Sequence, residues 1–184
     1  MDRGKSANLL TILDSWTSAA DYINEHGTRL IGHEPSVAPK AYRHVVYAGL
    51  SPKHQDEFRC EVHEQLPCEY FEFLAVANGM ILFSGAIRVL GYVARDRDGE
   101  HHIHNFPPSV LSANTFAPLT KAAGGNFVIG FYKEDGSYVY IDASGRVVRF
   151  DYEGDNNLIE QWDSFCHWME SEIERLDAMP IALH

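Results

Sequence analysis

The stretch FVIGFYKEDGSYVYIDASGRVVRFDY, residues 127–152, decides the fold class. It holds three short runs with strand character, Phe127–Tyr132, Ser137–Asp142 and Arg146–Tyr152. Glu134-Asp135-Gly136 and Ala143-Ser144-Gly145 separate them. Connections this short join antiparallel neighbours, because a parallel return needs a crossover long enough to hold a helix. Apolar and polar residues alternate weakly in Tyr138-Val139-Tyr140-Ile141 and more cleanly in Val148-Arg149-Phe150-Asp151, the period-two pattern of a half-buried sheet. The stretch predicts a three-stranded meander.

Upstream, Met80–Phe83 and Ala86–Val93 add two strands, followed by a polar turn at Arg95-Asp96-Arg97-Asp98-Gly99. Pro107-Pro108-Ser109 opens a short helical turn through Asn114, and Gly124-Gly125 breaks the chain ahead of the meander. Before the strands come two helices. Ser51-Pro52 starts the first, with serine as N-cap and proline at a position whose N–H is not needed. Phe58, Val62 and Leu66 form its thin apolar stripe. Pro67 opens the second, Cys68–Ala77, with Glu69 in the first turn where the helix dipole favours an anion. Asn78-Gly79 reads as its C-cap. Residues 6–26 read as an N-terminal helix on the spacing of Leu9, Leu10, Leu13, Trp16, Ala20 and Ile23, and residues 28–42 read as a connection. Downstream, Ile159, Trp162, Cys166, Met169, Ile173 and Leu176 predict a closing helix from about Leu158 to Asp177. The class is α+β: an antiparallel, twisted meander with helices packed on one face. The expected organisation is an N-terminal helix and connection over residues 1–44 and an α+β domain over residues 45–184, together one compact unit.

Composition limits the function. Of 184 residues, 45% are hydrophobic and 22% charged, which is the balance of an ordinary globular domain. No run approaches the roughly 18 consecutive apolar residues of a membrane-spanning helix, so no membrane role is expected. The brief apolar run Leu9–Leu13 is too short for a signal peptide, and Cys60, Cys68 and Cys166 form no C-x-x-C pair. Reduced thiols and a cytoplasmic location are the expectation. Residues 51–80 hold 6 acids and 2 bases, and residues 121–184 hold 12 and 5. Those excesses of −4 and −7 make up the whole net charge of −11. Direct nucleic-acid binding needs clustered Lys and Arg, so it is disfavoured, whereas a basic protein partner is allowed.

Catalytic patterns are sparse. His101, His102 and His104 beside Glu100 form the best metal candidate, since residues two apart on a strand point the same way. No second cluster supplies the remaining ligands, and a solvated loop accounts for them. There is no G-x-S-x-G elbow and no phosphate-binding loop. Glu134 and Asp135 occupy a hairpin tip open to water, where nothing raises a carboxyl pKa for general-acid work. No catalytic residue and no cofactor is expected. What stands out is acidic: Asp151, Glu153 and Asp155 around Tyr152, then Glu160 and Asp163. As plain structure this is a solvated loop and a charged helix start; as function it is a surface for a basic protein.

Leu66-Pro67, Tyr70, Phe73-Leu74, Asn78-Gly79 and Leu82-Phe83 resemble, in order and spacing, the "L-P-x-x-Y-x-x-F-L-x-x-x-N-G" block of the SUKH superfamily, the Smi/Knr-like proteins. Phe127-Val128-Ile129-Gly130, the meander with Asp135-Gly136 and Asp142, and Trp162-x-x-Phe165 resemble its later part. The resemblance covers about residues 45–176. Many members carry a glutamate upstream of the proline where this chain has Arg59. The resemblance implies a non-enzymatic binding protein. Bacterial members are mostly immunity proteins that occlude a cognate polymorphic or contact-dependent toxin, often a nuclease, and fungal members are scaffolds in cell-wall regulation. It casts Leu66, Pro67, Tyr70, Asn78, Gly79, Gly130, Trp162 and Phe165 as structural. The expected partner is a basic toxin domain met by Asp151, Tyr152, Glu153 and Asp155, with Glu134 and Asp135 in support. The alternatives are a regulatory scaffold and, further off, a metal-dependent enzyme using His101, His102 and His104.

Overall fold

A computed structural model describes residues 10–62, 66–94, 103–151 and 158–179. Among them nine strands form one antiparallel sheet in strict sequence order. The strands are β1 Tyr22–Ile23, β2 Arg29–His33, β3 Tyr42–Ala48, β4 Ala77–Leu82, β5 Ile87–Val89, β6 Phe127–Tyr132, β7 Tyr138–Ile141, β8 Val147–Phe150 and β9 Leu158–Trp162. Helices α1 Pro52–Val62 and α2 Cys68–Val76 lie between β3 and β4. The short helices α3 Val110–Thr115 and α4 Ala117–Ala122 lie between β5 and β6, and α5 Phe165–Asp177 follows β9. The α+β meander with helices on one face is therefore the architecture.

The predicted meander is present in register: Tyr138 pairs with Phe131 on one side and Phe150 on the other. The helix-bearing face of the sheet holds the main core, in which Val46, Met80, Val89 and Val139 meet Phe58, Phe73, Trp168 and Met169. Gly130 allows the closest approach there. A Cβ on it would stand 3.1 Å from the Trp168 ring and 2.9 Å from the Arg88 carbonyl oxygen. A second, smaller cluster of Leu30, Val45, Tyr47 and Ile81 lies apart from this core. Beside it the Tyr47 hydroxyl donates to the Ile103 carbonyl, and Asn24 Nδ2 donates to the His104 carbonyl at 2.8 Å, fastening residues 103–104 to the sheet.

Five expectations change. The N-terminal helix does not run to residue 26. Helical residues end in a 3-10 turn at Asp14–Trp16, and Thr17 is extended. Asp21 accepts from the Ser18 N–H and hydroxyl at 2.8 and 2.7 Å and from the Gly32 N–H at 2.9 Å, so a side chain competes with the helix and ties the loop to β2. Ala20 and Ile23 face solvent instead of a core. Residues 28–42 are not a plain connection, since they contain β2, whose Leu30 and Ile31 are buried. A domain boundary at residue 44 would fall inside β3, and the described part of residues 1–44 shares the sheet with the rest.

Asn78-Gly79 is not a C-cap. The second helix ends at Val76, the chain turns extended at Ala77, and both residues lie inside β4. Finally, residues 158–162 are a strand and not the first turns of the closing helix. Ser164 caps that helix at Phe165 by accepting from the His167 N–H at 3.1 Å. The expected starts at Pro52 and Cys68 hold, and the helical turn expected to open at Pro107-Pro108-Ser109 begins at Val110 with Ser109 as N-cap. The polar turn at 95–99 lies outside the described residues.

Candidate interaction surface

β6 and β8 run toward the same end of the sheet, so the turn carrying Glu134 and Asp135 is a neighbour of Asp151, the residue after Phe150. Asp151 is exposed there; Tyr152, Glu153 and Asp155 lie outside the described residues. Glu134 is exposed, and Asp135 is committed to the fold. Asp135 Oδ1 accepts from the Ser137 N–H and hydroxyl at 3.0 and 2.6 Å, closing the turn, and its Oδ2 accepts from Arg149 Nη2 at 2.7 Å. Partial burial pushes against ionisation, but the hydrogen bonds from Ser137 and the Arg149 charge outweigh it and hold the carboxyl below its ordinary range. Asp142 repeats the device on the next turn, accepting from Ser144 and from both the backbone and guanidinium of Arg146.

Arg149 links this end to the interior. Its Nε donates to the Ser137 hydroxyl at 2.8 Å, and its guanidinium carbon lies 3.7 Å from the centroid of the Tyr132 ring. The Tyr132 hydroxyl accepts from Trp168 Nε1 at 2.8 Å. Burial and the nearby Glu172 carboxylate push the Tyr132 hydroxyl upward, so it stays protonated. Glu172, 2% exposed, is held by Arg175 with contacts down to 2.7 Å. The sequence reading passed over Glu172, although its place three residues after Met169 and four before Leu176 puts it on the buried stripe of α5. Arg149, Tyr132 and Glu172 are buried, and each of the two buried charges has its ion-pair partner, Asp135 or Arg175, at the surface. The group braces the sheet against α5.

The edge of the sheet at β9 is different in kind. β9 closes the strand order, and its first four residues are exposed, with Leu158 at 59% and Ile159 at 46%. Glu160 sits within it, Asp163 follows it, and the sequence has no Lys or Arg between Arg149 and Arg175. Tyr70 is fully buried and donates to the Leu90 carbonyl at 2.8 Å, Trp162 and Phe165 pack against α5 and α2, and Leu66 is in the core.

Of the histidine cluster, His101 and His102 lie outside the described residues, and the His104 ring packs edge-on against Tyr42. Among the described residues no three His, Cys, Asp or Glu side chains come together to hold a metal, and no helix is long and apolar enough to cross a membrane. No family model matches the chain, and no curated protein matches it.

Proposed function

We propose that this chain is a binding protein of SUKH type that works by covering a basic protein, in the manner of a bacterial immunity protein neutralising a toxin domain of nuclease type. The observation that carries this reading is the segregation of charge. Exposed carboxylates stand at one end of the sheet, at Glu134 and Asp151, and along the β9 edge toward the other end, at Glu160 and Asp163, and Lys and Arg are missing between Arg149 and Arg175. Arg146, Arg149 and Arg175 are already paired with Asp142, Asp135 and Glu172, and exposed Lys133 stands beside Glu134. A partner therefore meets an excess of negative charge on this part of the sheet. Such a surface speeds encounter with a cationic protein and rejects anionic ones. Burial of Tyr70, Phe73, Leu74 and Asn78 within the block from Pro67 to Gly79 is consistent with the family resemblance.

The test is co-expression with the product of the adjacent gene, followed by association kinetics at increasing salt. Binding that weakens with salt, and that slows about tenfold when Asp151, Glu153 and Asp155 are all changed to Lys, is the expected result. An unchanged rate in the triple variant moves the interface elsewhere, and turnover of a substrate by the isolated chain overturns the reading.

A further inference from the structure

Among the described residues β9 pairs with β8 alone, so one side of its backbone offers N–H and C=O groups to a further strand. Natural edges are usually blunted by short length, proline, lysine or a bulge. The opposite edge follows that rule, because β1 is only two residues long. β9 has five residues, with no proline and no lysine. It carries a bulge at Ile159, where the register steps from Phe150–Leu158 to Arg149–Glu160; Val148–Gln161 and Val147–Trp162 follow in even step, so the regular part of this edge is Glu160–Trp162. Leu158 and Ile159 stand out of the fold beside this edge and have no described core contact to account for them.

The charge selects the occupant. A second copy added antiparallel about the middle of β9 would set Glu160 against Glu160 and bring the Asp163 carboxylates to both ends, and like charges directly opposite are destabilising. An extended segment bearing Lys or Arg meets Glu160 within the strand and Asp163 just past its end favourably, and apolar side chains in it cover exposed Leu158 and Ile159. We propose that β9 receives such a segment of a basic protein partner as a tenth, antiparallel strand. This rests on the reading of the chain as a binder of a basic protein, and it names the mode of contact: backbone pairing supplies the affinity, and the acidic edge supplies the selection.

The test uses the full chain and three synthetic peptides of roughly ordinary strand length. One alternates Lys and Val, one alternates Lys and Pro with the same charge but no strand-forming capacity, and one alternates Glu and Val. Amide hydrogen exchange is followed along the chain. The expected result is slowed exchange at residues 158–162 with the Lys-Val peptide alone. Changing Leu158 and Ile159 together to Ser, which leaves the charge intact, should weaken that binding about tenfold. The melting temperature of this variant checks that it folds.

Equal binding of the Lys-Pro peptide, protection at other amides, or no protection at all overturns the added strand and leaves the acidic-surface reading standing. Binding of the Glu-Val peptide in place of the Lys-Val peptide removes that reading as well. Self-association with residues 158–162 protected gives the edge to a second copy and overturns the proposal.

Discussion

Glu69 caps a helix whose first residue, Phe165, is 96 positions away: its carboxylate accepts from the Phe165 N–H at 3.2 Å and from the Cys166 N–H at 3.3 Å. The first turn of a helix leaves its N–H groups without intrahelical partners, and a carboxylate there also meets the positive end of the dipole. α2 therefore fixes the start of α5, and Ser164 adds a local cap. Glu69→Ala should lower stability by about 1–2 kcal/mol, and Glu69→Gln, which keeps one acceptor oxygen, by less. Thermal melting of both variants checks this. An alanine variant as stable as the parent would mean that Ser164 suffices.

Two asparagines use their side-chain amides as pieces of β-ladder. Asn78 Nδ2 donates to the Tyr92 carbonyl at 2.7 Å, and the Tyr92 N–H donates to Asn78 Oδ1 at 2.8 Å. Asn114 brackets Val128 in the same way, with both distances 2.8 Å. Asn78 is wholly buried, and Gly79 beside it holds φ +86 with the Val89 carbonyl where a Cβ would go. Asn78→Asp should be more damaging than Asn78→Ala. Alanine leaves two backbone groups unsatisfied, at about 1–3 kcal/mol each, whereas aspartate adds a buried charge facing a carbonyl. The ranking of midpoints in urea decides it; equal midpoints would show that the bracket contributes little.

These cases show what the sequence carried and where it stopped. The β6–β8 meander was legible because Asp135-Gly136-Ser137 and Asp142 with Ser144 close their own turns, so the signal is local. β9 was not, because Ile159, Trp162 and Cys166 fall by chance on helical spacing while pairing with β8 holds residues 158–162 extended. The Asn78-Gly79 pair is a common helix stop, and only its nonlocal partner Tyr92 reveals a strand. Asp135 could be placed in a turn but not paired, since Arg149 reaches it only through the β7–β8 register. The acidic edge was visible as composition. That it lines an open strand was not.

Glu134 and Asp135 should separate on substitution although they are adjacent. Asp135→Asn removes the charge that Arg149 faces, and Arg149 is 9% exposed. A buried charge left without its partner is costly, so the loss should be about 1–3 kcal/mol. Glu134→Gln should change stability by less than about 0.5 kcal/mol and act on association with a basic partner. A double-mutant cycle of Asp135→Asn with Arg149→Met should give a coupling of about 1–2 kcal/mol. A coupling near zero would reduce the ion pair to a geometric coincidence.

His44 sets the response to mild acid. It is fully buried between the rings of Trp16 and Phe83, each 4.8 Å away, and its Nδ1 accepts from the Phe83 N–H at 3.4 Å. Burial, helped by the Arg43 charge and opposed by Asp21, pushes its pKa down to about 3 from 6.5. Between those values the unfolded chain takes up a proton that the folded chain refuses. Stability is therefore full above pH 6.5 and falls as pH drops toward 3, by up to about 1.4 kcal/mol per pH unit from this group.

Asp21, Asp135 and Asp142 have folded pKa values below the ordinary 3.8. Their contribution is present above that value and is lost only as pH falls through their lowered range. The two effects occupy different windows. Denaturant titrations from neutral pH downward should show stability declining before any of these carboxylates titrates. In His44→Phe, which fills the ring site but cannot be protonated, the decline above pH 3.8 should flatten even though the Phe83 N–H loses its acceptor and the variant starts less stable. A slope identical in the two proteins would move the acid response to another group.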